Sequence, residues 1–293
     1  MKKLFVFIFL IMLIILIVLT GCTKQNNISE DDKFKVVTSF YPLYIMALNI
    51  TDGIDDVSVT NMASSSVGCL HNYTLQASDL KILSKSDMFI MNGLGIETFV
   101  DKIRKEYPNL EQINTSTTQL DLIKDSEGIN GHVWNSLDNY IAQVEVILNS
   151  LCAENPENTA KYTDNTEKYM AKLNKLKQNA YLAKEGTTVV SCNESLAYLL
   201  NDASIKFIEV YSDHEQSALS SEKLSNVIDE MKQKNVKVIF IAKGDNRKTA
   251  ELIAQETGAK IYELDANLTG EMDKDAYINT MTSNYNILKD CLE

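Results

Sequence analysis

The side chains in this sequence best suited to hold a transition metal are its histidines, and there are only three: His71, His132 and His214. His71 lies in Val67-Gly68-Cys69-Leu70-His71-Asn72-Tyr73 and His132 in Gly131-His132-Val133-Trp134-Asn135-Ser136. Each stretch leads into a helix, the first expected to be capped by Ser78 and the second by Ser136. Loops of this kind lie at the edge of an α/β sheet, where ligands bind. Neutral imidazole is the commonest ligand for zinc and serves several other first-row metals. One loop histidine is an ordinary surface residue, whereas two in matching contexts form a candidate pair. His214, in the polar run Ser212-Asp213-His214-Glu215-Gln216, reads as an exposed loop residue, and Trp134 as packing beneath the loop that carries His132.

The second half of the chain offers oxygen ligands directly after strand-like runs. Cys192-Asn193-Glu194 follows 187–191, and Leu264-Asp265-Ala266-Asn267 follows 260–263. Asp265 would serve equally well in an Asx-turn or as a helix cap. Two imidazoles from one half and two oxygens from the other make a closed N2O2 set. That set suits zinc in near-tetrahedral geometry, and manganese if a carboxylate binds through both oxygens.

Positioning such residues requires regular elements. Short runs rich in Val, Ile and Phe predict strands at 35–38, 57–60, 88–92, 112–114, 187–191, 206–211, 237–242 and 260–263. Helical patterns lie between them, for example 220–234 and 246–257; Ala250, Ile253 and Ala254 share a face of the latter and Gly258 stops it. Alternating strands and helices imply parallel sheets covered by helices, an α/β architecture. One segment departs from the alternation. From Asn155-Pro156 to about Lys184 there is no glycine and no strand-like run. Asn155 reads as an N-cap and Pro156 as the first helical residue. Tyr169, Leu173, Leu176 and Ala180 recur as one helical stripe. Roughly 28 residues give a rod of about 40 Å, a stiff connector between two α/β blocks.

The N-terminus carries its own pattern. Lys2 and Lys3 precede an apolar run over residues 4–19, and Thr20-Gly21-Cys22 follows. A basic start, an apolar core and a small-residue cleavage region describe a secretory signal peptide. The L-T-G-C string resembles a bacterial lipobox, whose Cys is lipidated, so Cys22 is the expected anchor and 23–32 a flexible tether. Removing residues 1–21 takes away two lysines and no acids, so a net charge of −12 becomes −14. Nucleic acid is therefore excluded as a partner, because its binding rests on Lys and Arg neutralising phosphate. Cys69, Cys152, Cys192 and Cys291 remain in a compartment that permits disulfides. Four cysteines allow three full pairings, and their spacing matches no C-x-x-C zinc module.

Taken in order, several motifs are similar to those of the metal-binding solute-binding proteins of zinc and manganese ABC importers (cluster A-I lipoproteins). Thr38-Ser39-Phe40-Tyr41-Pro42-Leu43 resembles that family's opening strand and turn, and His71-Asn72-Tyr73 with Ser78-Asp79-Leu80 its first ligand histidine and the following helix start. Asn92-Gly93-Leu94-Gly95-Ile96-Glu97 resembles its N-G-x-G-x-E turn, and His132-Val133-Trp134 its second ligand histidine. The resemblance covers the whole mature chain. It implies two α/β lobes with parallel sheets, joined by one long rigid helix, with metal in the cleft between them. In this numbering the parts are a signal peptide at 1–21, an acylated Cys and tether at 22–32, an N-terminal lobe at 33–154, a connecting helix at 155–185 and a C-terminal lobe at 186–293. His71, His132 and Asp265 fall on three of the four ligand positions. The fourth position, five residues before Tyr198, holds Asn193 where the family has His or Glu. Asn193 through its carbonyl, Glu194 swinging in, or water could complete the shell. The resemblance also implies a divalent cargo (Zn2+ first, Mn2+ second), a membrane permease as partner, a lipid anchor on the extracytoplasmic face of the cell membrane, a monomer, and no enzymatic role.

Two other classes use the same residues. An extracytoplasmic metallohydrolase would employ Glu194 as base, but there is no H-E-x-x-H or nucleophile elbow, and Gly244-Asp245-Asn246-Arg247-Lys248-Thr249 lacks the second glycine of a P-loop. An adhesin or organic-ligand receptor on the same scaffold is the third class, since fold alone does not set function.

Overall fold

The computed structural model describes residues 29–63, 70–124, 128–211 and 220–293. The expectations for the signal peptide, Cys22, Cys69 and His214 lie outside the described residues. Two units are distinguished, 1–33 and 34–293. In the described part of the first, Ser29 caps a 3-10 turn over Glu30–Asp32 and Lys33 pairs with Glu30. Among the described residues no helix is long and apolar enough to cross a membrane.

The second unit contains two four-stranded, all-parallel sheets. The first holds β1 (Phe34–Thr38), β2 (Val57–Asn61), β3 (Met88–Met91) and β4 (Glu111–Asn114) in the order β2-β1-β3-β4. The second holds β5 (Thr188–Ser191), β6 (Lys206–Glu209), β7 (Val238–Ala242) and β8 (Lys260–Leu264) in the equivalent order β6-β5-β7-β8. The helices are α1 (Tyr41–Ile50), α2 (Ala77–Leu83), α3 (Val100–Glu106), α4 (Leu137–Glu154), α5 (Thr159–Gln178), α6 (Ala197–Asp202), α7 (Ser221–Lys234), α8 (Lys248–Thr257) and α9 (Ala276–Leu292). In both sheets the chain order reverses beside the first strand, so crevices open at the carboxyl ends of β1/β3 and β5/β7.

Burial in the second sheet follows the two-residue period of a strand. Val189, Val238, Phe240 and Ala242 join a core shared with the first lobe, whereas Val190, Ile239 and Ile241 face Val227 and Met231 of α7 and Ile253 of α8. The shared core also takes in Phe40, Trp134, Tyr140, Leu173, Leu199 and Tyr277, so the lobes are not separately cored. All eight strands expected from the sequence form, and Gly258 ends α8 in the left-handed conformation.

Three local expectations differ from the structure. The long helix runs over Thr159–Gln178, starting three residues after Pro156 and ending six short of 184, which makes it about 30 Å rather than 40. Asn179 closes it, and Ala183 donates its N–H to the carbonyl of Ala203 at 2.9 Å, drawing the chain toward the second sheet. Asn155 does not cap: its side-chain oxygen accepts from Asn158 and from the Tyr162 hydroxyl, and Pro156–Asn158 forms a 3-10 turn. Helix α2 is capped by Gln76, not Ser78, because Asp79 reaches back to accept the Gln76 N–H at 2.7 Å. The three described cysteines, Cys152, Cys192 and Cys291, are free thiols.

The loop after β8 is fastened to α1 of the first lobe. Tyr41 donates its hydroxyl to the Glu271 carbonyl at 2.7 Å, Asn49 donates to the Lys274 carbonyl at 2.9 Å, and Lys274 pairs with Asp52 at 2.6 Å. At Gly270 a Cβ would come within 2.4 Å of the Tyr41 hydroxyl oxygen. Gly270→Ala is therefore expected to displace that hydroxyl and to destabilise the protein by about 1–3 kcal/mol. Thermal or denaturant unfolding checks this, and the loss should be smaller in a Tyr41→Phe background.

Candidate metal centre

His132 is placed by a chain of buried polar contacts that begins in the Asn92–Glu97 turn. The Glu97 carboxylate accepts from the Ser39 hydroxyl (2.7 Å) and from the N–H groups of Asn92 (2.7 Å) and Gly93 (2.9 Å). Gly93 adopts φ +83° and has no room for a Cβ against the Asn114 side chain, so the turn requires glycine there. Asn92 then donates to the carbonyl of Gly131 at 3.0 Å, and a Cβ on Gly131 would strike Ile96 and the Leu94 carbonyl. The N-G-x-G-x-E motif thus seats the residue immediately before His132.

Asn130 fixes the imidazole itself. Its amide nitrogen donates to the Glu194 carbonyl at 2.9 Å, so its oxygen faces the ring and accepts from Nδ1 at 2.9 Å. An amide oxygen can only accept, so Nδ1 carries the proton and Nε2 presents its lone pair. The ring is almost wholly buried, 5.1 Å from the Trp134 ring. Burial, with the neighbouring His71 adding to it, holds the His132 pKa down at about 3, so the ring is neutral at physiological pH. Asn130 is not among the candidates expected from the sequence, where its one signal is an amide two residues ahead of a histidine.

His71 sits in a 3-10 turn over Leu70–Asn72, its ring centroid 5.4 Å from that of His132. From the other lobe, Glu194 opens the 3-10 turn Glu194–Leu196 after β5 and brings Oε1 to 4.0 Å from His71 Nε2 and 3.9 Å from His132 Nε2. These three residues, with ligand atoms all within 4.8 Å of one another, are the metal-competent cluster among the described residues. Neighbouring donors on a tetrahedral zinc ion lie about 3.3 Å apart, so the two Glu194–imidazole separations exceed that spacing by less than an ångström. His132 forms the buried floor, and His71 and Glu194 the half-exposed rim.

The remaining sequence candidates fall elsewhere. Asn193 caps the Glu194–Leu196 turn: its oxygen accepts from the Ser195 N–H (2.8 Å) and hydroxyl (2.5 Å), and its nitrogen donates to Asp245 at 2.7 Å. Asp265 follows β8, but its carboxylate lies outside the cluster, bonded to the Asn267 N–H at 3.0 Å and paired with Lys243 at 3.3 Å. Trp134 is fully buried and donates Nε1–H to the Ala266 carbonyl at 3.0 Å, tying the His132 loop to the Asp265 loop. Tyr198 similarly donates to the Asn130 carbonyl at 2.7 Å.

Against known proteins, residues 36–291 match the ZnuA family model, described as the periplasmic zinc-uptake complex component A. The high-affinity zinc uptake system protein ZnuA of Bacillus subtilis (strain 168) is 29% identical over 298 residues, covering 92% of this chain and 91% of that protein. The manganese-binding lipoprotein MntA of Halalkalibacterium halodurans is 25% identical over 269 residues, covering 89% of this chain and 88% of that protein. Among solved structures, the solute-binding protein FpvC of Pseudomonas aeruginosa in complex with Mn2+ shares the fold with a TM-score of 0.79 at 24% identity, covering 89% of this chain and 98% of that one.

Proposed function

Because the chain belongs to the family of periplasmic zinc-uptake components, we propose that it captures a divalent transition-metal ion, zinc first and manganese second, outside the cell and hands it to the permease of an ABC importer. The observation that carries this reading is the convergence of His71, His132 and Glu194 from two lobes on one point. Two imidazoles and one carboxylate are ligands that zinc favours, and a fourth position is left for Asp265 or water. Glu194 is aimed at both imidazoles, the direction of a ligand, which supports a binding role over a hydrolytic one. Lipidation at Cys22, with the protein tethered as a monomer on the extracytoplasmic face, completes the proposal.

The test is elemental analysis of the full chain, extracted in detergent, stripped and re-equilibrated with buffered zinc and manganese. One equivalent of metal is expected in the parent protein and none in His71→Ala. Metal binding should also raise stability, by about 2.7 kcal/mol at a hundredfold excess of free ion over the dissociation constant. A parent protein that takes up neither ion would overturn the proposal.

A further inference from the structure

Asp265 has its backbone fixed beside the candidate metal centre but its carboxylate directed elsewhere. Asn284 accepts the Asp265 N–H at 2.9 Å and donates to its carbonyl at 2.8 Å. The next carbonyl, that of Ala266, accepts from Trp134, whose ring lies against His132. The main chain is therefore held from both lobes, and a carboxylate at this point can relocate only by side-chain rotation.

What it faces is set by strand register. Ala242 and Leu264 are the last partners of β7 and β8, and Lys243 donates its N–H to the Leu264 carbonyl at 2.9 Å. Lys243 and Asp265 thus leave the two strand ends as neighbours, and Lys243 Nζ lies 3.3 Å from Asp265 Oδ2. A cavity of about 440 Å3 opens beside them, lined among others by Lys243, Glu263, Asp265, Asn279, Ser283 and Asn284.

We infer that Lys243 is a counter-ligand: it holds the Asp265 carboxylate off the His71–His132–Glu194 cluster, and Asp265 can take the fourth coordination position only by breaking that ion pair. The inference rests on the metal-binding reading above. It makes Lys243 a positioning residue that never touches the ion yet sets how tightly it is held and how readily it is released to the next carrier. Metal and ammonium compete for one carboxylate, and what one gains the other loses. Because the Lys243 side chain is 70% exposed, the pair is strongly screened, so the effect is a modest tuning of affinity rather than a lock.

A double-mutant cycle on the full chain in detergent tests this, read as zinc affinity by competition with a chromophoric chelator. Lys243→Met should tighten zinc by about three- to fivefold at low salt, and Lys243→Arg, which keeps the pair, should stay near the parent value. In an Asp265→Asn background the gain from Lys243→Met should vanish, because a neutral amide forms no ion pair with an ammonium. The gain should also shrink in about 1 M salt, where screening acts within about 3 Å. Equal tightening in both backgrounds would show that Lys243 acts only as a nearby positive charge, and no tightening in the parent background would show no competition; either sinks the inference. His71→Ala separates the two levels: if it loses zinc while Lys243→Met is silent, only the counter-ligand fails, whereas if it keeps zinc, the metal centre itself is misplaced.

Discussion

Glu194→Gln is expected to lower zinc affinity about a hundredfold or more, while Asn193→Ala lowers it less than tenfold. Glu194 is the only anion among the three clustered side chains, and glutamine keeps its shape and one oxygen but loses the charge that offsets the cation. Asn193 contributes through architecture. Its side chain caps the turn that aims Glu194 and anchors that turn to Asp245. Removing the cap costs about 1 kcal/mol of folding stability and loosens the aim of the carboxylate without removing a ligand. Chelator competition gives both affinities, and denaturant unfolding of the metal-free variants gives the stability term. Loss of metal in Asn193→Ala with retention in Glu194→Gln would assign the ligand to Asn193 instead.

The second large effect is on the metal-free protein in mild acid. Free imidazole titrates near about 6.5, whereas burial and His71 hold His132 at about 3 in the folded state. Between those values the unfolded chain binds a proton that the folded chain does not. The stability contributed by neutral His132 is complete above about pH 6.5 and is lost as pH falls toward 3, by up to about 1.4 kcal/mol for each unit. The buried carboxyls of Glu97 and Asp202, both pushed up by burial, act in the opposite sense. The informative quantity is therefore the difference between the parent and His132→Asn, in which those carboxyl contributions cancel. Urea midpoints measured from pH 7 to pH 4.5 should fall more steeply in the parent. Parallel curves would show that His132 is not held neutral by the fold.

Much of the scaffold was legible because its signals are local. Strands such as Val238–Ala242 announce themselves by composition, and the turn from α8 into β8 by the left-handed requirement met at Gly258. The long helix was legible in its stripe of Tyr169, Leu173 and Leu176 but not in its end, since nothing in Asn179–Lys184 forbids helix. Asn179 closes it, and beyond that cap Ala183 is bonded to Ala203, twenty residues on in sequence. The two ligand histidine candidates could be chosen because few imidazoles compete for the role. Neither Asn130 nor Lys243 could be chosen. Asn130 stands only two residues from His132, but the turn of its amide oxygen toward the ring is fixed by the distant Glu194 carbonyl, and Lys243 acts through Asp265, which is likewise distant in sequence.

By itself the sequence determined the eight strands, the alternation that makes the sheets parallel, and the loops that carry His71 and His132. Those follow from side-chain periodicity and turn chemistry, which act over a few residues. The tertiary structure alone decided which of two adjacent residues, Asn193 or Glu194, faces the histidines, and that Asp265 begins on Lys243 rather than in the cluster. Past the end of a strand the side-chain direction no longer alternates predictably. It is set by which neighbour satisfies each polar group, and the distant neighbours, Asp245 for Asn193 and Lys243 for Asp265, assemble only when the second sheet does.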